Sequence, residues 1–130
     1  MPDLREYSSA LLSRTESVNL NAVAATNLYT VPADKILVLH YIVIRELSAD
    51  AALTVATFGQ TAAKTDFLAA QTLSNLNAAA AAGILMPVPN ATTVKLIEYT
   101  EGEIICIDVT TAAGGACTAT VEVFGTLMDE

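Results

Sequence analysis

Hydrophobic and polar residues alternate in short runs along most of the chain from Ser17 onward. Alternation with a period of two residues is typical of half-buried β-strands. Residues 118–127 show the pattern well, because Ala119, Val121 and Val123 fall on one face and polar residues on the other. Glycine-rich or aspartate-containing turn signals separate the runs. About eight strands at a spacing of roughly 8–12 residues predict an all-β domain, a single jelly-roll-like β-sandwich.

Residues 36–46 form the most hydrophobic predicted strand. Ile36, Val38, His40, Ile42 and Ile44 fall on one face by strict alternation, and the other face is also apolar. A strand that is apolar on both faces is typical of a central position, or of an outer face that something else covers. We therefore expect this strand in the middle of a sheet or under a neighbouring segment.

Residues 60–83 do not follow a clear period, so two alternatives stay open. Asp66 is a possible helix cap, and the alanine tract at residues 78–82 favours a helix that Gly83 would end. Asn75 and Asn77 disfavour helix and favour a long irregular connection. Helix and loop are equally compatible with the pattern.

The first sixteen residues differ from the rest of the chain. Leu4, Tyr7, Leu11 and Leu12 lie at helical spacing, which fits a short amphipathic helix or an arm that docks on a partner. We favour the arm, because terminal segments become ordered only when other residues hold them. The predicted organisation is an N-terminal arm at residues 1–16 and a β-sandwich domain at residues 17–130.

The charge balance excludes several classes of partner. The chain has 14 acidic and six basic residues and a formal net charge of −8. Nucleic acids and anionic membranes are recognised by clustered lysines and arginines, and the six basic residues here form no cluster. No run approaches the roughly 18 apolar residues that cross a membrane, and no signal-peptide pattern opens the sequence. We therefore expect synthesis in a host cytoplasm and protein partners.

Residues that could carry chemistry are few. His40 is the only histidine and lies in the most apolar run, so a buried or interface role is the simplest interpretation. Cys106 and Cys117 are too few for a disulfide framework, although a bridge between neighbouring strands stays open. No nucleotide-binding or nucleophile motif is present. We expect no enzyme activity, no metal and no cofactor.

The carboxylates around one predicted turn leave an alternative open. Glu98, Glu101 and Glu103 surround this turn and would offer oxygen ligands to Ca²⁺. Solvated side chains at the tip of a hairpin are the simpler interpretation.

A resemblance to a known group rests on residues 27–35, Asn-Leu-Tyr-Thr-Val-Pro-Ala-Asp-Lys, and on the hydrophobic run that follows. This phrase resembles the opening of small β-sandwich proteins of tailed-phage particles, in which a similar Leu-Tyr-Thr-Val-Pro-Ala-Gly-Lys phrase precedes a hydrophobic strand. Asp34 stands where glycine is commoner, which a turn accommodates. The resemblance covers residues 17–60.

The resemblance implies a virion structural protein, and within that group a head decoration (cement) protein. It implies binding to the major capsid protein at the capsid surface, a homo-oligomer that is most simply a trimer, and a terminal arm. Another virion part, such as a head–tail joining or fibre-base protein, is an alternative. A carbohydrate-binding β-sandwich is a further alternative, although the dispersed tyrosines and the absence of tryptophan disfavour a sugar platform.

Overall fold

Nine strands make two antiparallel sheets in the computed structural model, which describes residues 9–130. These residues contain no helix, and hence none that is long and apolar enough to cross a membrane. The strands are β1 (Ala10–Asn19), β2 (Ala25–Thr30), β3 (Lys35–Arg45), β4 (Val55–Gln60), β5 (Ala63–Thr72), β6 (Gly83–Leu85), β7 (Glu98–Thr100), β8 (Ile104–Thr111) and β9 (Thr118–Asp129).

The strand order is that of a jelly roll. The first sheet has the order β1-β9-β3-β6, with β7 also paired to β3, and the second has the order β2-β8-β4-β5. The last two strands insert between earlier ones, β9 between β1 and β3 and β8 between β2 and β4. Because β6 and β7 occupy the same edge of β3, the sandwich has eight strand positions. The predicted all-β, jelly-roll-like sandwich is confirmed.

The core lies between the facing sides of the two sheets. Alternation along each strand sends one set of side chains inward. The largest fully buried side chains include Leu37, Ile42, Phe58, Ile105 and Tyr99. Each such side chain stabilises the fold by roughly 1.5–3 kcal/mol through removal of apolar surface from water.

Strand β3 is central in its sheet, as its two apolar faces predict, but the face assignment differs. A β-bulge between Leu39 and Tyr41 places an extra residue, His40, opposite β9. The bulge shifts the alternation, so Leu37, Leu39, Ile42 and Ile44 all point to the core. Strict alternation had placed Leu39 and Ile42 on opposite faces, and the bulge is the physical reason for the difference.

Strand β1 includes residues that the sequence analysis assigned to an arm. It pairs with β9 from Ala10 to Asn19, so residues 10–16 belong to the sandwich. Two irregularities, at residues 11–13 and 15–18, interrupt its alternation, and Ser17 has a φ of 57°. These interruptions hid the strand from a period-two pattern. Residues 1–8 of the predicted arm lie outside the described residues.

The segment at residues 60–83 contains a strand that neither alternative anticipated. Strand β5 pairs with β4 through two register shifts, which removed its alternation from the sequence. The alanine tract after it is not helical. Ala80 has a φ of 65° and donates its backbone N–H to the carbonyl of Leu47, while Leu76 is buried in the core. Tertiary contacts therefore override the helical propensity of alanine here.

Strands β6 and β7 have only three residues each. On this edge of β3 only β6 and β7 pair with the strand, and residues 86–97 leave the sheet between them. Pro87 and Pro89 have no backbone N–H to donate, which favours departure from the ladder. We call residues 86–97 the excursion.

Candidate interaction surfaces

The predicted partner-binding residues separate into three groups. Leu11 is 49% exposed on β1, beside Phe124 of β9, and is available to a partner. Leu12 is half-buried and packs against the core, so it stabilises the sandwich. Leu4 and Tyr7 lie outside residues 9–130. Partner contact through these side chains stays a prediction.

A cluster of charged residues holds β1 on its neighbours. Glu122 is only 4% exposed, although it points away from the core. Its carboxylate accepts a hydrogen bond from Arg14 at 3.3 Å and forms a 2.6 Å ion pair with Arg45 Nε. Arg14 also donates two 2.9 Å hydrogen bonds to Glu46, whose other donor is the Thr120 hydroxyl. The cluster links three adjacent strands of the first sheet.

The electrostatics of this cluster are those of a structural site. The hydrogen bond to Glu46 raises the pKa of Arg14, and the same contact lowers the pKa of Glu46. Opposite charges at hydrogen-bonding distance favour the ionised forms of both groups. The buried carboxylate of Glu122 forms ion pairs with both arginines, which come from the strands on either side of β9, so it joins three strands.

An apolar strip continues along the outer side of the first sheet. The rings of Tyr41 and Phe124 stack with centroids 4.7 Å apart and an angle of 21° between planes. Leu11 pairs with Phe124 across the β1–β9 ladder, and Val43 lies two residues after Tyr41 on β3. Tyr41, Val43 and Phe124 are half-buried, and Leu11 is exposed. Stacked rings and a nearby aliphatic residue offer contact area to a partner, but no pocket for a small ligand.

The carboxylates predicted as a possible calcium site have separate partners. Glu103 accepts hydrogen bonds from the hydroxyl and the backbone N–H of Thr100, and these contacts lower its pKa. Glu101 instead accepts a 3.3 Å hydrogen bond from the N–H of Asp34. Within residues 9–130, the acidic group with metal-ligand spacing is Asp34, Glu101 and Glu130, all exposed. Asp34 and Glu101 lie in turns, and Glu130 follows β9.

Neither the histidine nor the cysteines form a catalytic arrangement with the groups around them. His40 is half-buried, and its Nε2 lies 3.3 Å from the hydroxyl of Thr126. Cys106 and Cys117 are buried free thiols. Burial raises the pKa of Cys106, which keeps it protonated and unreactive. The Sγ atom of Cys117 lies 3.5 Å from the carbonyl oxygen of Ala49. Because both cysteines are buried and free, they act as small core residues.

A hydrogen-bonded link closes one side of the sandwich. The buried Tyr99 of β7 donates its hydroxyl to Asp66 Oδ1 on β5 at 2.8 Å, which joins the two sheets. Gln60 donates its backbone and side-chain N–H groups to the same carboxylate. Gly59 makes room for it, since a Cβ there would lie 2.3 Å from Asp66 Oδ1. Burial, followed by the bond to Asp66, raises the pKa of Tyr99.

A groove of about 590 Å³ opens beside this link. Its lining comes from the middle of β3, from β5 and from the excursion, and is mostly apolar: Leu39, His40, Asp66, Phe67, Met86, Pro87, Val94, Lys95, Leu96 and Ile97. A second hollow of about 320 Å³ lies between the end of β5 and β6. Sequence reasoning missed both, although the clustered prolines and near absence of charge around residues 86–97 were a usable signal.

Comparisons with known proteins show what fold these surfaces belong to. No protein-family model and no curated protein sequence matches the chain. The structure is similar to a chain of the acidic stable capsid of Helicobacter pylori bacteriophage KHP30, with a TM-score of 0.59 and 14% identity over 95% of this chain and 94% of that chain. It is also similar to a chain of the cyanophage Pam1 capsid asymmetric unit, with a TM-score of 0.51 and 15% identity over 92% of this chain and 84% of that chain.

At 14% and 15% identity, the likeness is one of fold and covers nearly the whole chain. The described residues therefore form a jelly-roll sandwich whose fold is shared with chains of two phage capsid structures.

Proposed function

We propose that the protein is a non-enzymatic structural component of a tailed-phage virion, which binds the outer surface of the capsid and stabilises the shell. The observation that supports this most strongly is the fold likeness to a chain in the KHP30 capsid structure over 95% of this chain. The resemblance of residues 27–35 to small phage sandwich proteins is an independent indication from the sequence.

The surfaces of the molecule support binding to other proteins over catalysis. The polar clusters within residues 9–130 join strands, as the Arg14–Glu122–Arg45 contacts and the Tyr99–Asp66 bond do. The apolar strip on the first sheet and the exposed side chains of the excursion instead offer contact area. Exposed apolar patches of this kind mark protein-binding surfaces.

The physical mechanism is linkage between binding and assembly. A protein that binds only the assembled shell stabilises that state by mass action. Many copies on one lattice, associated as trimers, add avidity without strong individual contacts. We propose that the major capsid protein is the partner and that residues 1–8 are an arm along it. Leu4 and Tyr7 would be the anchors, with the exposed Leu11 beside them.

The experiment measures binding to purified shells that lack the protein. The double variant Leu4→Ala, Tyr7→Ala should bind at least about tenfold more weakly, because burying each such side chain contributes roughly 1.5–3 kcal/mol and 1.4 kcal/mol is tenfold. Its circular dichroism and melting temperature should match the parent, because the sheet begins at Ala10. Arg5→Ala, Glu6→Ala is the matched control in the same segment.

Each result has a definite consequence. Unchanged shell binding by the Leu4→Ala, Tyr7→Ala variant would contradict the proposal that residues 1–8 bind the capsid as an arm. Failure of the full chain to bind any shell would contradict the capsid-surface role. Antibody labelling of intact particles tests the location. Regular label over the head supports decoration, and label confined to one vertex or to the tail would replace it with a joining or fibre-base role.

A further inference from the structure

One side of the sandwich is almost free of charge. From Phe67 to Ile97 the sequence contains a single charged residue, Lys95, in a chain with 14 acidic residues and a net charge of −8. These residues include most of β5, all of β6 and the excursion. We call the surface that they form the uncharged side.

The uncharged side also exposes most of the large hydrophobic side chains that are accessible in the described chain. Of the eight exposed large hydrophobic residues among residues 9–130, five lie between residues 84 and 97: Ile84, Met86, Val88, Val94 and Leu96. The 590 Å³ groove lies among them, with the core residues Leu39 and Phe67 in its wall. If this surface only had to remain in contact with water, charged side chains would be expected on it.

The strand pairing along this edge of β3 is interrupted as well. Strand β7 pairs with residues 36–38 of β3, and β6 pairs with residues 42–44. Neither pairs with residues 39–41, because the excursion has left the sheet at this level. An interrupted sheet edge beside an apolar groove is a surface that another chain can cover.

We propose that the uncharged side is a self-association surface, and that its occupant is the uncharged side of a second copy of this chain. Leu96 and Met86 of one copy would enter the groove of the next. Charge determines this choice of occupant. Two chains of net charge −8 repel each other, and burying like charges is costly. Residues 67–97 carry no carboxylate, and the one carboxylate in the groove, that of Asp66, is half-buried and bonded to Tyr99 and Gln60, so two copies can meet here at the least cost.

The size of the surface is adequate for a stable contact. A standard interface uses roughly 20–30 residues from each partner. Of residues 67–97, 27 are exposed or half-buried, and they include the five exposed large hydrophobic residues. Such an interface would have an apolar middle and a sparsely charged rim, as self-associating surfaces have.

The experiment introduces one carboxylate and measures mass by light scattering across micromolar to millimolar concentrations. Leu96 is 65% exposed, so Leu96→Glu should fold normally. The wild type should run at a multiple of the mass of one chain, and Leu96→Glu should run as a single chain. Leu53→Glu is the matched control, because Leu53 is 70% exposed outside the uncharged side. It should keep the mass of the wild type.

Several outcomes would overturn the proposal. A wild type that stays a single chain at every concentration excludes self-association, and an associated Leu96→Glu excludes this surface. If Leu96→Glu does not fold, Val88→Glu, at a position 73% exposed, replaces it. Loss of association on deleting residues 1–8, with Leu96→Glu still associated, would assign the contact to the N-terminal segment. Because the assay contains no shell, its result is independent of the capsid-binding proposal.

Discussion

The hydrogen bond between Tyr99 and Asp66 joins an edge strand of one sheet to an edge strand of the other, so its removal tests how the sandwich is closed. Tyr99→Phe removes only the hydroxyl that donates to Asp66 Oδ1 at 2.8 Å. The ring of Tyr99 is fully buried and would keep its packing in the variant. The carboxylate would keep the two donors from Gln60.

The expected loss follows from the character of this bond. A hydrogen bond to a charged group contributes about 1.5–3 kcal/mol. Asp66 is only half-buried and water can replace the lost donor, so we expect about 2 kcal/mol, within that range. With an unfolding entropy of about 2.1 cal/mol/K per residue, a chain of 130 residues should lose about 7 °C from its melting temperature.

Urea and thermal denaturation followed by circular dichroism measure the loss. Tyr29→Phe is the control, because the Tyr29 hydroxyl has no hydrogen bond within residues 9–130, and its melting temperature should hardly change. A double-mutant cycle with Asp66→Ala isolates the pair. A loss below about 0.5 kcal/mol for Tyr99→Phe, or strict additivity in the cycle, would refute the reasoning.

Two further predictions concern close packing and acid stability. Gly125→Ala should cost roughly 1–3 kcal/mol in urea denaturation, because a Cβ would lie 2.6 Å from the carbonyl of Val38, whereas Gly115→Ala should be nearly neutral because nothing lies within 4 Å. Lowered pKa values of Glu46 and Glu103 mean that unfolded carboxyls protonate first as the pH falls. Their stabilisation should be complete above about pH 4.5, the ordinary pKa of these carboxyls, and should be lost progressively as the pH falls through their lower folded-state pKa values. A melting temperature that does not fall with the pH below 4.5 would contradict this.

The charge cluster on β9 illustrates how the fold keeps its outer sheet together. Arg14 and Arg45 come from the two strands on either side of β9, and both contact Glu122. A buried ion pair is costly to form but costlier to break, because removal of one partner leaves an uncompensated charge. The cluster therefore makes the position of β1 specific, which matters if the residues before β1 contact a partner.

The sequence by itself determined the fold class and the central position of its most hydrophobic strand. Alternating runs and their turn signals predicted a sandwich of about eight strands, because a period of two residues directly records which face of a strand is buried. The double-sided hydrophobicity of residues 36–46 likewise predicted a central strand, which β3 is. The lack of a clustered set of basic residues or a catalytic motif could also be read without a structure.

Only the tertiary structure decided where the alternation fails. Bulges at His40, within β1 and between β4 and β5 shift one residue out of register, and such shifts depend on the partner strand. For that reason the sequence pattern predicts a helix or a loop where β5 lies, and an arm at residues 10–16, which belong to β1. The groove and the Tyr99–Asp66 bond join residues far apart in sequence, so no local pattern records them.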